Sequence, residues 1–301
     1  MTEVFPGFPR RPLLRPGVRV CRHGHGQLQI GLDPTQAVLA PDTEEIRALL
    51  RGLAVGQPPP RYGTFPATRM CLLLLERGLV VDGDALLGSL PPRESARGAV
   101  AAAFATYGER AAEAIGSRLS FRARVAGPPE LAAVAAALLA DCGLVVGRRR
   151  PDLGLVVGIG EAPREEADAL LRSGIPHSLV VVREGIVEVG PFVLPGETAC
   201  QRCVDAYAAD ANPRHALAVE QYAVPVLRSD GVPEPVDPAL LSIALGWAVR
   251  DLAAWADGQA PATLSTWSTT IEIDPELTLP RTRWRPHPAC GCSIDLRSAT
   301  G

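Results

Sequence analysis

Four of the seven cysteines fall into two close pairs, Cys200 and Cys203 in "GETACQRCVDAY" and Cys290 and Cys292 in "HPACGC". A C-x-x-C and a C-x-C are what a tetrahedral metal needs: each pair chelates from one tight turn, and two turns meet in space to complete four thiolates. Gly291 lets the second turn tighten between its ligands. Such a closed site has no open coordination position, so its role is structural, and zinc is the ion the donors favour. An iron–sulfur cluster would use similar donors in different ligand runs. A redox pair is the competing chemistry, but this C-x-x-C does not follow a thioredoxin-like strand, and a metal-free cluster remains the third reading. His287, just before the second pair, is placed to support the ligands by hydrogen bonding. Cys21, Cys71 and Cys142 lie in strand or helix patterns and read as small apolar residues.

Other chemistries find little purchase. All 30 cationic residues are Arg, which removes any Schiff-base lysine and any phosphate-binding Walker lysine. "RVAGPPELAAV" offers a single glycine, Gly127, where a dinucleotide fingerprint needs three, and Pro128 and Pro129 delete two backbone donors there. In "VVGIGEAP", Gly158 and Gly160 are followed by Pro163 in place of the third glycine, so a strand-end turn is the better reading. His23 and His25 form an H-x-H inside a hairpin turn, and Glu165 and Glu166 open a helix as a solvated first turn. There is no G-x-S-x-G elbow, and no catalytic residue is assigned.

The elements that must carry the cysteines alternate along the second part of the chain. An Ala-rich helix over about 94–116 precedes the strand "RLSFRARVAG". Helix 128–142, the strands "GLVVG" and "DLGLVVGIG", helix 163–173 and the strand "SLVVVRE" follow. Continuous Val/Leu/Ile strands between helices predict a parallel sheet covered on both faces. A long helix, "DPALLSIALGWAVRDLAAWADG", starts with Asp237 as cap and Pro238 at its first position. "STWSTTIEID" and "TRWRPH" read as the last strands, and the four Trp as core. Before residue 90 the texture differs. "VRVCR", "QLQIGL" and "QAVLA" form a small antiparallel unit. "DTEEIRALLRGL" and "PATRMCLLLLERG" read as helices, "LVV" as a short strand, and "GSLPPRESARG" as a linker. Three strands, helices and a wing strand are the order of a winged helix-turn-helix.

Hydrophobic content of 47% and charged content of 21% over 301 residues describe a globular chain of two domains, 1–90 and 91–301. A net charge of −3 announces no nucleic-acid partner. The first residues lack the apolar stretch of a signal peptide, and the longest apolar run, 131–140, is too short to span a membrane, so the chain reads as cytoplasmic.

The N-terminal "LRPGVRV…LQIGLD" followed by helices resembles a RiPP recognition element, the winged-helix module that grips leader peptides. The rest resembles the ThiF-like (ubiquitin-activating-type, Rossmann-like) α/β fold, with "GPFVLPGETACQRC" and "HPACGC" similar to its zinc-bearing form. Together they resemble the TOMM (thiazole/oxazole-modified microcin) precursor leader peptide-binding proteins, the cyclodehydratase components that partner YcaO enzymes. The resemblance implies that a leader peptide adds as a strand to Gln36, Ala37, Val38, Leu39 and Ala40, with Arg69 and Leu73 on the helix beside it. It implies structural zinc on Cys200, Cys203, Cys290 and Cys292. It also implies a separate YcaO enzyme that uses ATP to form azolines from Cys, Ser or Thr, while this chain is a non-catalytic subunit. A homodimer stays open. The alternative is an ATP-dependent adenylating enzyme that activates a carboxylate or a sulfur carrier. A transcription factor is the weakest reading, since the second helix carries only Arg69 and Arg77 as cations.

Overall fold

The computed structural model describes residues 5–61, 63–223 and 229–292. The chain forms two compact units, Met1–Gly116 and Ser117–Gly301.

In the first unit, β1 (Pro12–Leu14) is followed by β2 (Val20–Gly24), β3 (Gln27–Ile30) and β4 (Val38–Pro41). The last three form an antiparallel sheet in the order β2-β3-β4. His25 and Gly26 take positive φ, 49° and 69°, which matches a tight hairpin turn to strand twist. Leu28, Ile30, Val38 and Ala40 alternate onto one face and are buried. They pack on Ile46, Leu50 and Leu53 of α1 (Glu44–Ala54) and on Met70 and Leu74 of α2 (Phe65–Glu76). Thr43 and Thr64 cap these helices, accepting from the Ile46 and Ala67 amides.

Two elements here are not visible in the sequence pattern. β1 pairs with β5 (Val80–Asp82), placing Leu13 opposite Val81. The ribbon is too short for alternation to announce it. α3 (Gly83–Gly88) starts from an Asp82 cap. The expected helix over 94–116 is divided: α4 (Glu94–Tyr107) ends at Gly108, whose φ is 56°, and α5 (Ala111–Ser120) resumes after one 3-10 turn.

The second unit is built on β6 (Arg122–Ala126), α6 (Pro129–Asp141), β7 (Val145–Val146), β8 (Leu153–Ile159), α7 (Arg164–Arg172), β9 (His177–Arg183) and β10 (Ile186–Val189). These are followed by α8 (Gln201–Ala211), α9 (His215–Tyr222), α10 (Pro238–Ala256), β11 (Thr269–Ile273) and β12 (Arg281–Arg283). The strands make one seven-stranded sheet in the order β12-β11-β10-β9-β8-β6-β7. Only β7, β6, β8 and β9 are parallel; β10, β11 and β12 add antiparallel. The sheet is therefore mixed where the strand composition suggested a parallel one. At β10 the reason is local. Glu184 and Gly185 both take positive φ, 52° and 86°, and so tight a turn can only return the chain antiparallel.

Both faces of the sheet are covered. α6 and α10 pack on one side, against Leu153, Leu155, Val180 and Val182. α7 and the start of α8 cover the other, against Val156, Leu179 and Val181. α10 is apolar and long enough to cross a bilayer, yet most of it is buried against the sheet, as for a core helix. Its buried Asp251 accepts from the Ser265 and Thr266 amides, at 3.1 and 2.8 Å, and so fixes the loop that enters β11. Gly154 lets α7 close on β8: a Cβ there would stand 2.4 Å from Leu170 Cδ1.

His177 opens β9 with its Nδ1 at 2.8 Å from the Ile175 carbonyl. Burial pushes its pKa down to about 4 from 6.5. Between those values the unfolded chain binds the extra proton, so stability is complete above about pH 6.5 and is lost as pH falls toward 4. From pH 7.5 to 5, wild-type protein should lose about 2 kcal/mol more unfolding free energy than His177→Gln in denaturant titrations. Parallel losses in the two proteins would remove His177 as the cause.

Candidate functional site

Cys200 is the N-cap residue of α8, so the C-x-x-C wraps that helix's first turn, with Cys203 one turn in. Cys290 and Cys292 arrive after β12, through a turn in which the Cys290 amide donates to the His287 carbonyl. The four Sγ atoms lie within 4.8 Å of one another. Cys200 stands 3.8 Å from Cys203 and 3.5 Å from Cys290, and Cys203 stands 3.3 Å from Cys292. These are not disulfide distances. A metal bound at about 2.3 Å by four tetrahedral thiolates has sulfur–sulfur edges of roughly 3.8 Å. The donor set and its spacing fit such an ion.

The surroundings favour thiolate. Cys203 Sγ accepts from the Cys200 thiol, from Cys292 and from the His287 amide, the last at 3.2 Å, and these donors hold its pKa well below the usual thiol range. The Cys200 thiol moves the opposite way, because Cys203 holds its proton. His287 is fixed in turn: Nε2 lies 3.0 Å from Asp210 Oδ2, and Nδ1 accepts from the Ala289 amide. The ring stands edge-on to Tyr207 at 4.6 Å, and Tyr207 packs on Trp284.

Two crossed ion pairs hold α8 to α7. Arg164 reaches both carboxylate oxygens of Asp205, at 2.9 and 2.7 Å. Arg202 reaches Asp168 at 2.7 Å. A guanidinium fork constrains orientation as well as distance. It thereby fixes the helix whose first turn carries Cys200 and Cys203.

The crevice at the carboxyl ends of the parallel strands is filled by the chain itself. Gly127 has a φ of 142°, and a Cβ there would lie 2.2 Å from the Val157 carbonyl oxygen. At Gly160 a Cβ would lie 2.6 Å from the Tyr222 carbonyl oxygen, at the end of α9. Glu161, inside the same turn, pairs with Arg164 at 3.0 Å. Pro128 is the N-cap of α6 and Pro129 its first residue, so no glycine-rich phosphate loop forms there.

The residues expected to bind peptide all lie in the first unit, where Val38, Ala40 and Leu73 share one core cluster. Gln36 and Ala37 lie in the turn before β4, where the Ala37 amide donates to the Asp33 carbonyl at 2.7 Å. Val38 and Ala40 point into the core, whereas Leu39 is half exposed. β4 has β3 on one side and, among the described residues, no strand on the other. α2 runs beside it: Arg77 at the helix end donates to the Thr35 carbonyl at 2.6 Å. Arg69 is exposed and Leu73 partly buried. Phe65 and Leu72, two further apolar residues one heptad apart on α2, are exposed. Their seven-residue spacing puts both on one side of the helix. His23 and His25 sit exposed in β2 and its turn.

No family model and no curated protein sequence matches the chain. Among solved structures it is similar to the heterocyclase TruD, with a TM-score of 0.63 and 19% identity, covering 95% of this chain and 43% of that one. A heterocyclase in complex with substrate and cofactor gives 0.62 and 18%, over 91% of this chain and 38% of that one. E. coli MccB with ATP gives 0.59 and 11%, over 94% of this chain and 99% of that one. The chain thus shares a fold with these proteins, spanning under half the length of the heterocyclases and nearly all of MccB.

Purified protein should carry about one metal ion per chain, read by elemental analysis. Cys203→Ser should lose most of it and lower the unfolding temperature by several degrees. Wild-type protein with less than half an equivalent and four titratable thiols would refute a metal site.

Proposed function

We propose that this protein grips an extended leader segment of a ribosomally made precursor peptide along the free edge of β4. It would present the peptide's core to a separate YcaO-type cyclodehydratase, which uses ATP to form azolines from Cys, Ser or Thr. The carrying observation is the open edge of β4 beside α2, with Leu39, Phe65, Leu72 and Arg69 exposed. An edge strand offers unpaired N–H and C=O groups to an incoming strand, and the helix beside it offers side-chain contacts; backbone bonds give affinity and those contacts give choice. On this reading residues 1–90 form a winged-helix recognition element and residues 91–301 a ThiF-like domain, with zinc as its structural ion. The fold shared with heterocyclases, and with MccB, whose solved complexes include MccA, supports a peptide-modifying context.

The chain's own residues would bind, orient and raise local concentration, and the chemistry would occur in the partner. The self-filled crevice supports this division of labour: the turns where a nucleotide phosphate would approach pack against carbonyl oxygens. An adenylating enzyme remains the rival, and pyrophosphate exchange by the isolated protein would establish it.

Leader affinity by fluorescence anisotropy tests the groove. Leu39→Glu should weaken binding of the precursor's leader about tenfold without changing the unfolding temperature, and Leu73→Ala should weaken it less. Unaltered affinity in both variants would move the peptide site elsewhere.

A further inference from the structure

α10 is buried along most of its circumference, but one stripe reaches the surface: Ile243, Gly246, Trp247 and Arg250, at helical spacing. Ile243 is 40% exposed. The neighbouring surface is the edge strand β12. Its register sets Arg281 opposite Ile271 and Arg283 opposite Thr269, so both arginines share the sheet face that α10 covers. Arg281 lies over the Trp247 ring, 5.6 Å from its centroid. Among the described residues no carboxylate pairs with Arg250, Arg281 or Arg283.

Gly246 supplies an independent observation. Glycine inside a helix is less favourable than alanine. Here a Cβ would meet nothing within 4 Å, so no internal packing requires its absence. What it leaves is a notch between Ile243 and Trp247, rimmed by cations.

We propose that this notch, with Trp247 and Ile243 as anchors and Arg250, Arg281 and Arg283 around them, docks an acidic, apolar-centred surface of the YcaO-type enzyme, an assignment that rests on the function proposed above. Trp and Arg dominate the energetics of protein interfaces, and unpaired cations select a carboxylate-bearing partner. A symmetric second copy would set arginine against arginine. A lipid surface needs a broad apolar face, and here only two large apolar side chains are offered.

The full-length protein and the separately purified YcaO-type enzyme decide the matter by calorimetry or biolayer interferometry at low and high salt. Arg250→Glu/Arg281→Glu/Arg283→Glu should weaken enzyme binding at least about tenfold and flatten its salt dependence, with leader affinity unchanged. Gly246→Gln should also weaken it while leaving the unfolding temperature equal or higher, which a folding defect would not do. The matched charge change at the opposite sheet edge, Arg148→Glu/Arg149→Glu/Arg150→Glu, should leave it intact. Equal enzyme binding by wild type and both patch variants overturns the proposal, as does equal weakening by the opposite-edge variant. Patch-dependent binding of anionic phospholipid vesicles would assign the surface to a membrane instead. Wild-type protein that binds leader but no enzyme would remove the proposed function's partner, and the docking surface with it.

Discussion

The meeting of four sulfur atoms, two from the first turn of α8 and two from the segment after β12, closes the second unit. β12 is a three-residue edge strand, and a ladder that short holds little alone. What fixes it is the packing that begins at Trp284, whose Nε1 donates to Thr270 Oγ1 at 3.1 Å, and ends at the thiols. Between them His287 serves both sides: its amide donates to Cys203 and its ring lies against Tyr207. A cation among the sulfurs would convert a set of weak sulfur contacts into a rigid cross-link. The Arg164–Asp205 and Arg202–Asp168 pairs already hold α8 in the orientation this cross-link needs.

The same economy explains the crevice above the parallel strands. In an open α/β sheet that crevice is where ligands bind, because helix N-termini and strand ends leave polar groups unpaired. Here those groups are consumed internally. Glu161 is shared by Arg164 and Arg183, and Arg183 also donates to the Gly160 carbonyl. The glycines at Gly127, Gly158 and Gly160 survive because the chain's own carbonyls approach them closely. Glycine in such a turn marks close approach of something, and the approaching group need not be a phosphate.

This bears on what could be read in advance. The four cysteines were legible as a set because metal chelation imposes short spacings that survive any intervening fold. Strands such as Leu153–Ile159 were legible because burial on both faces leaves continuous apolar runs. The reversal of β10 is not, because its direction is set by two φ angles at Glu184 and Gly185 and not by composition. β1 and α3 are not legible, because elements of three and six residues carry no measurable period. The stripe around Trp247 read as core because three faces of α10 are core; only the register of β12 brings Arg281 and Arg283 beside it.

Sheet edges show how the chain distributes its exposed backbone. An unpaired edge invites association, and charge is the usual means of discouraging it. β2 carries Arg22 and His23, β7 is followed after Gly147 by Arg148, Arg149 and Arg150, and β12 alternates Arg281 and Arg283 about Thr282. β4, Val38–Pro41, has no charged residue within it, and Leu39 stands half exposed in its centre. Pro41 ends the ladder by removing an amide donor, so a strand added there is limited to a few residues. Under the proposed function an edge this short and uncharged would take only a brief extended segment, and side-chain discrimination would have to come from α2, where Arg69 is exposed and Leu73 partly buried.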